Sequence, residues 1–159
     1  MTEPVSDPTP EETASWHRTM GPMLFHHTWD LLDRGDARTA EDEELMLAAT
    51  LGQRYHWYAV GSALNRAIAD WQVARVAAVL GYADLAERFG RLSLAMCDEH
   101  DLPAFYRGYA HEALARAADV MDDHRTRDQH VLAARALLPL VDDDQERSML
   151  DADVRIVAG

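Results

Sequence analysis

His56 is the one polar group on a helix face otherwise formed by Leu45, Ala49, Gly52 and Ala59. An imidazole titrates near neutral pH, so there it can act as an acid, a base or a ligand, or sit as a hydrogen-bonded core group. Glu112 and Arg116 stand one helical turn apart, below Phe105 and Tyr109 on the same face, and this spacing forms an ion pair. Arg75 follows Trp71 by four residues, so its guanidinium can stack on that indole or fork onto a carboxylate. If these faces meet, His56, Arg75, Glu112 and Arg116 make a charged cluster walled by Trp57, Trp71 and Tyr109. Asn65, on the same segment as Trp71, adds a polar contact to the ligand-binding set. Such a lining suits a small anionic or planar ligand, with arginines as anion donors and rings as walls. In a catalytic version, His56 and Glu112 are the acid–base pair. The alternative is an internal ion-pair network that fixes helix register.

Metal chemistry has weaker support. His27, His56 and His111 supply nitrogen donors only if the fold gathers them, with His27 placed on the face of Leu24 and Leu31. His26 and Asp30 also offer two ligands one turn apart. No His-Glu-x-x-His and no Glu-x-x-His occurs, which removes the zincin and the ferritin-like di-iron patterns. No EF-hand spacing, nucleophile elbow or glycine-rich nucleotide loop is present, so no cofactor is expected. Cys97 is the single cysteine, followed by Asp98 and Glu99 that raise a thiol pKa, and it reads as packing. His124 and His130 fall in a charge-rich stretch and read as exposed.

The elements that position these groups are helical. Thr9-Pro10-Glu11-Glu12 combines a capping hydroxyl, a first-turn proline and a returning glutamate, and the signal recurs at Thr39-Ala40-Glu41-Asp42. Gly21-Pro22 predicts a break or kink, with a second helix restarting there and stopping at Gly35. A long helix then runs to Gly61, and Ser62 caps the next, whose stripe Leu64, Ile68, Trp71, Ala78 ends at Gly81. Further helices are predicted over 83–98, from Pro103 to about Asp122, over 128–140 and over 145–157. No stretch alternates with period two, so the fold class is all-α: an antiparallel array of seven or eight helices. Residues 1–8 read as a tail and 9–159 as one domain.

The segments TWDLL (28–32), RYHW (54–57), NRAIADWQVARVAAVLG (65–81) and YAHEALARA (109–117) resemble a group of small bacterial tetratricopeptide-like proteins with no assigned reaction. Small residues at Ala86, Gly90, Ala113 and Ala117 suit close helix packing, although Arg75 stands where that repeat usually has glycine. The resemblance covers 28–120 and implies a helical-repeat fold, with 121–159 as divergent capping helices.

Composition narrows the partners. Twenty-eight acidic and fifteen basic residues leave a net charge of −13, which repels nucleic acid and anionic membranes. Every basic residue is arginine, so Schiff-base and P-loop lysine chemistry is excluded. One cysteine, with neither a signal-like leader nor an apolar span, predicts a cytoplasmic protein. The leading reading is a binding or scaffold module that takes a peptide, protein or small anionic ligand on a polar-aromatic concave face. The second is a small biosynthetic enzyme using His56, with or without a metal at His27, and arginines that hold an anionic substrate. Four Trp and seven Met also make homo-oligomerisation a third possibility.

Overall fold

The computed structural model describes residues 7–159 as seven α-helices, with no strand among the described residues. They are α1 (Pro10–Leu32), α2 (Ala40–Val60), α3 (Ala63–Val79), α4 (Ala83–Glu99), α5 (Ala104–Val120), α6 (His124–Leu137) and α7 (Asp144–Ala158), with 3-10 turns at Gly35–Ala37 and Leu138–Leu140. Most of the expected tail lies outside the described residues; Asp7 and Pro8 are exposed. No helix among the described residues is long and apolar enough to cross a membrane.

Helix starts follow local chemistry. Thr9 with Glu12, Thr39 with Asp42, and Ser62 with Asn65 each form a reciprocal capping box. Three successive helix ends use one device, a left-handed residue followed by an amide that reaches back five positions. Gly81, Asp101 and Asp122 have positive φ, and Tyr82, Leu102 and Asp123 donate to the carbonyls of Ala77, Cys97 and Ala118 at 2.8–2.9 Å. This is the Schellman termination. It recurs at nearly constant spacing, which keeps α3, α4 and α5 similar in length and closes each hairpin tightly.

Two features depart from the sequence reading. Gly21-Pro22 does not split the first segment, and α1 runs unbroken through Pro22. Gly21 is there for room, since a Cβ at that position would lie 2.9 Å from the Trp57 indole. The buried face of α2 is Met46, Ala49, Thr50, Gln53 and His56, whereas Leu45 and Ala59 are exposed. The buried face is rotated by about one residue from the expected stripe, because Gln53 and Thr50 look polar in sequence yet donate to the Ala69 carbonyl and to Gln72.

The odd-numbered helices pack in series, α1 on α3, α3 on α5 and α5 on α7, while each of α2, α4 and α6 packs between its chain neighbours. Central α3 is enclosed, so it carries alanine and valine on most sides, with Ala67, Ala69, Val73, Ala74, Val76 and Ala77 fully buried. Ala86 and Ala117 meet Ala77 in one small-residue cluster, and a Cβ on Gly90 would lie 2.9 Å from Leu114. At the C-terminal end Leu150 of α7 drops against Gly108 of α5, where any Cβ would collide with it. That approach seats α7 beside α5 and brings Asp153 towards Tyr109.

Candidate functional site

A cavity of about 350 Å³ lies along the odd-numbered helices, and its lining is overwhelmingly apolar. The wall is a ladder of rings. Phe25 and Trp29 come from α1, Trp71 from α3, and Phe105, Tyr106 and Tyr109 from α5. Their centroids step 6.4 Å from Phe25 to Trp29, 5.8 Å to Trp71, 5.2 Å to Tyr109 and 5.0 Å to Phe105. Most pairs meet edge to face, the arrangement that the ring quadrupole favours. Ala67, Ile68, Met149 and Asp153, with Ser93 of α4, complete the lining, so the predicted α3 stripe of Ile68 and Trp71 faces this space.

Tyr109 and Asp153 connect the cavity to a charged cluster. The Tyr109 hydroxyl donates to Asp153 Oδ2 at 2.8 Å, and Arg116 Nη2 lies 3.7 Å from Asp153 Oδ1. Arg75 Nη1 donates to Glu112 Oε1 at 3.1 Å, and Arg116 Nε donates to the same oxygen. Burial pushes the Glu112 carboxyl upward, opposed by Arg116 and Arg75, and it draws the Arg75 guanidinium down. The Tyr109 phenol is raised by burial and further by the carboxylate it serves. Three buried atoms here have no hydrogen-bond partner among the described residues: Trp71 Nε1, Glu112 Oε2 and Arg116 Nη2.

Arg75, Glu112, Arg116, Trp71 and Tyr109 thus converge, and Asp153 joins them from a segment the sequence reading had set aside. His56 and Trp57 belong to another place. His56 is buried in the α1–α2 hairpin with its Nδ1 2.7 Å from Nδ1 of His17, framed by Trp16 and Tyr55. Burial lowers its pKa, and the facing His17 adds to this. Trp57 packs over Gly21, and Asn65 is spent on the Ser62 cap.

The possible metal donors are dispersed. His27 is exposed rather than on the face of buried Leu31, and His111 pairs with His130 at 3.0 Å between Nδ1 atoms. His130 is therefore half-buried rather than exposed. No group of three or more His, Cys, Asp or Glu able to hold a metal occurs among the described residues. Cys97 is buried, and its thiol is pushed up to about 11, chiefly by burial.

The chain matches no protein-family model, no curated protein and no solved structure. The sequence reading also missed Asp70, fully buried between Arg54 and Tyr58. Its signal was present, for a carboxylate flanked by Ala67, Ala69, Val73 and Ala74 has to be paired. His17 and Asp153 carry no comparable local signal.

Proposed function

We propose that this protein is a non-catalytic binding module whose ligand is a small, largely apolar molecule held in the aromatic cavity along α1, α3, α5 and α7. The observation that carries this reading is the ring ladder itself: six aromatic side chains from three helices left around open space rather than packed shut. Interiors are normally filled to crystal-like density, and apolar pockets of this size with a few convergent polar groups are the usual form of a ligand site. The serial packing of the odd-numbered helices supports a tetratricopeptide-like array whose inner face presents the cavity, and α7 supports a capping role.

An anion receives less support than the residue types alone suggested. Both arginines of the cluster are met by carboxylates, and Asp153 is the acidic group that reaches the lining. The acid–base reading loses its setting as well, since His56 lies in the α1–α2 hairpin and lines no part of the cavity.

Titration with Nile red, a neutral apolar dye, tests the reading. One dye per chain is expected, and Ile68→Trp, which fills the space beside Trp71, should weaken binding by about tenfold or more, a loss of at least about 1.4 kcal/mol. The helical circular dichroism signal of the variant should be unchanged. Saturable dye binding that Ile68→Trp leaves intact would place the site elsewhere.

A further inference from the structure

We infer that the cavity selects a neutral aromatic molecule bearing a carbonyl-type acceptor, carboxamides foremost; this rests on the cavity reading above. The argument begins with unspent hydrogen bonds. Buried polar groups in folded proteins nearly always have partners, so those that lack one ask for an explanation. Elsewhere the atoms without partners among the described residues are scattered, such as Gln53 Oε1 and Arg38 Nε. Three belong to the cavity wall or to the ion-pair cluster that Tyr109 and Asp153 join to it, and they are of both kinds. Trp71 Nε1 and Arg116 Nη2 are donors, and Glu112 Oε2 is an acceptor. Trp71 is part of the wall, and Arg116 Nη2 stands 3.7 Å from the lining carboxylate of Asp153, beyond hydrogen-bond reach.

A carbonyl oxygen has two lone pairs and can accept from an indole or guanidinium N–H. An amide N–H on the same carbon can give its proton to the Asp153 carboxylate, so one carboxamide meets both the unspent Trp71 donor and the acceptor in the lining. Charge then separates the candidates. An aryl carboxylate brings its negative charge against Asp153, the acidic residue in the lining. An aryl ammonium brings its positive charge towards Arg116 and Arg75, and Asp153 already receives the Tyr109 hydroxyl at 2.8 Å. The two arginines and two carboxylates balance, so a neutral ligand leaves every existing pair in place. Apolar walls on α1, α3 and α5 take the ring system through stacked and edge contacts.

The test uses one ring system with three heads: 2-naphthamide, 2-naphthoate and 2-naphthylmethylamine, with naphthalene as the headless reference. Affinities are read by displacement of Nile red and by quenching of tryptophan fluorescence, because Trp29 and Trp71 are both in the wall. The amide should bind about tenfold or more tightly than either charged probe, the size of one net hydrogen bond retained. Trp71→Phe should remove most of the advantage of the amide over naphthalene while naphthalene itself still displaces the dye. Preference for the carboxylate or the ammonium, or an amide advantage untouched by Trp71→Phe, overturns this inference and leaves the cavity reading standing. Failure of all four probes and of Nile red overturns both.

Discussion

Asp70 and Glu112 are the same chemistry in two settings. Each carboxylate is fully shielded from solvent, and each is held by arginine. Asp70 is closed: Oδ1 accepts from Arg54 Nε and Oδ2 from the Tyr58 hydroxyl, each at 2.5 Å. The Arg54 guanidinium also lies 4.0 Å from the Tyr58 ring centroid and 5.0 Å from that of Phe89, so the set ties α2 to α3 and to α4. Glu112 is open. Its Oε1 takes both guanidiniums, its Oε2 has no partner among the described residues, and its neighbours Tyr109 and Asp153 face a cavity. A buried carboxylate with both oxygens paired ties helices together, whereas Glu112 keeps one oxygen in reserve.

The largest effect follows from cutting the closed set. Asp70→Ala leaves Arg54 without its buried counter-charge and Tyr58 without its acceptor, at a cost of about 3–5 kcal/mol. Urea unfolding measures this, and a cost under about 1 kcal/mol would mean that closure confers no structural role. The molecules that remain folded should still bind Nile red, because the cavity is walled by other residues.

A smaller change turns the closed carboxylate into an open one. Tyr58→Phe removes the hydroxyl and leaves Asp70 Oδ2 unpaired, as Glu112 Oε2 is, and should cost about 1–3 kcal/mol. Burial and the bond to Asp70 push the Tyr58 phenol up to about 12. The variant should therefore lose the part of the tyrosinate absorbance rise centred near pH 12. It should gain no affinity for 2-naphthamide, since the ring-walled cavity is lined by other residues. Gain of amide binding there would show that an unspent lone pair alone makes a site.

How much of this was legible depends on range in sequence. Caps were legible because Thr9 with Glu12, Thr39 with Asp42 and Ser62 with Asn65 act over three residues. The ends at Asp101 and Asp122 were harder to read than Gly81, because aspartate enters the left-handed region only when the turn compels it. The Glu112–Arg116 pair is a one-turn pattern, and Arg75 joined it because two faces with matching charge met. Asp153 could not be read that way: its place beside Tyr109 depends on Leu150 descending onto Gly108, 42 residues away in sequence. His56 misled for the converse reason, since its own burial was correct and the identity of its partner, His17, was non-local.

The smallest effect comes from a third constellation, closed like that of Asp70 but able to titrate. In His17–His56 and His111–His130 two Nδ1 atoms lie 2.7 Å and 3.0 Å apart, so only one proton fits between them in each pair. Burial lowers the pKa of His56, His111 and His130; His17 adds to this at His56, His130 at His111 and Arg91 at His130. Trp16 and Tyr55 also face the first pair, while Glu87, Asp98, Arg91 and Arg107 surround the second, Asp98 and Glu87 pulling the other way. With folded values below the unfolded one near 6.5, the unfolded chain binds more protons as the solution is acidified, so stability rises with pH. The contribution is complete above about pH 6.5 and is lost as pH falls from there through the lowered folded values. Loss of one net hydrogen bond of about 1 kcal/mol lowers the melting temperature of a domain this size by about 2–4 °C. A scan from about pH 7.5 to 5.5 should show that fall in the wild type and a shallower one in the double variant His56→Phe, His130→Phe. Parallel profiles would mean that shared protons, unlike the shared charge at Asp70, do not hold one helix to the next.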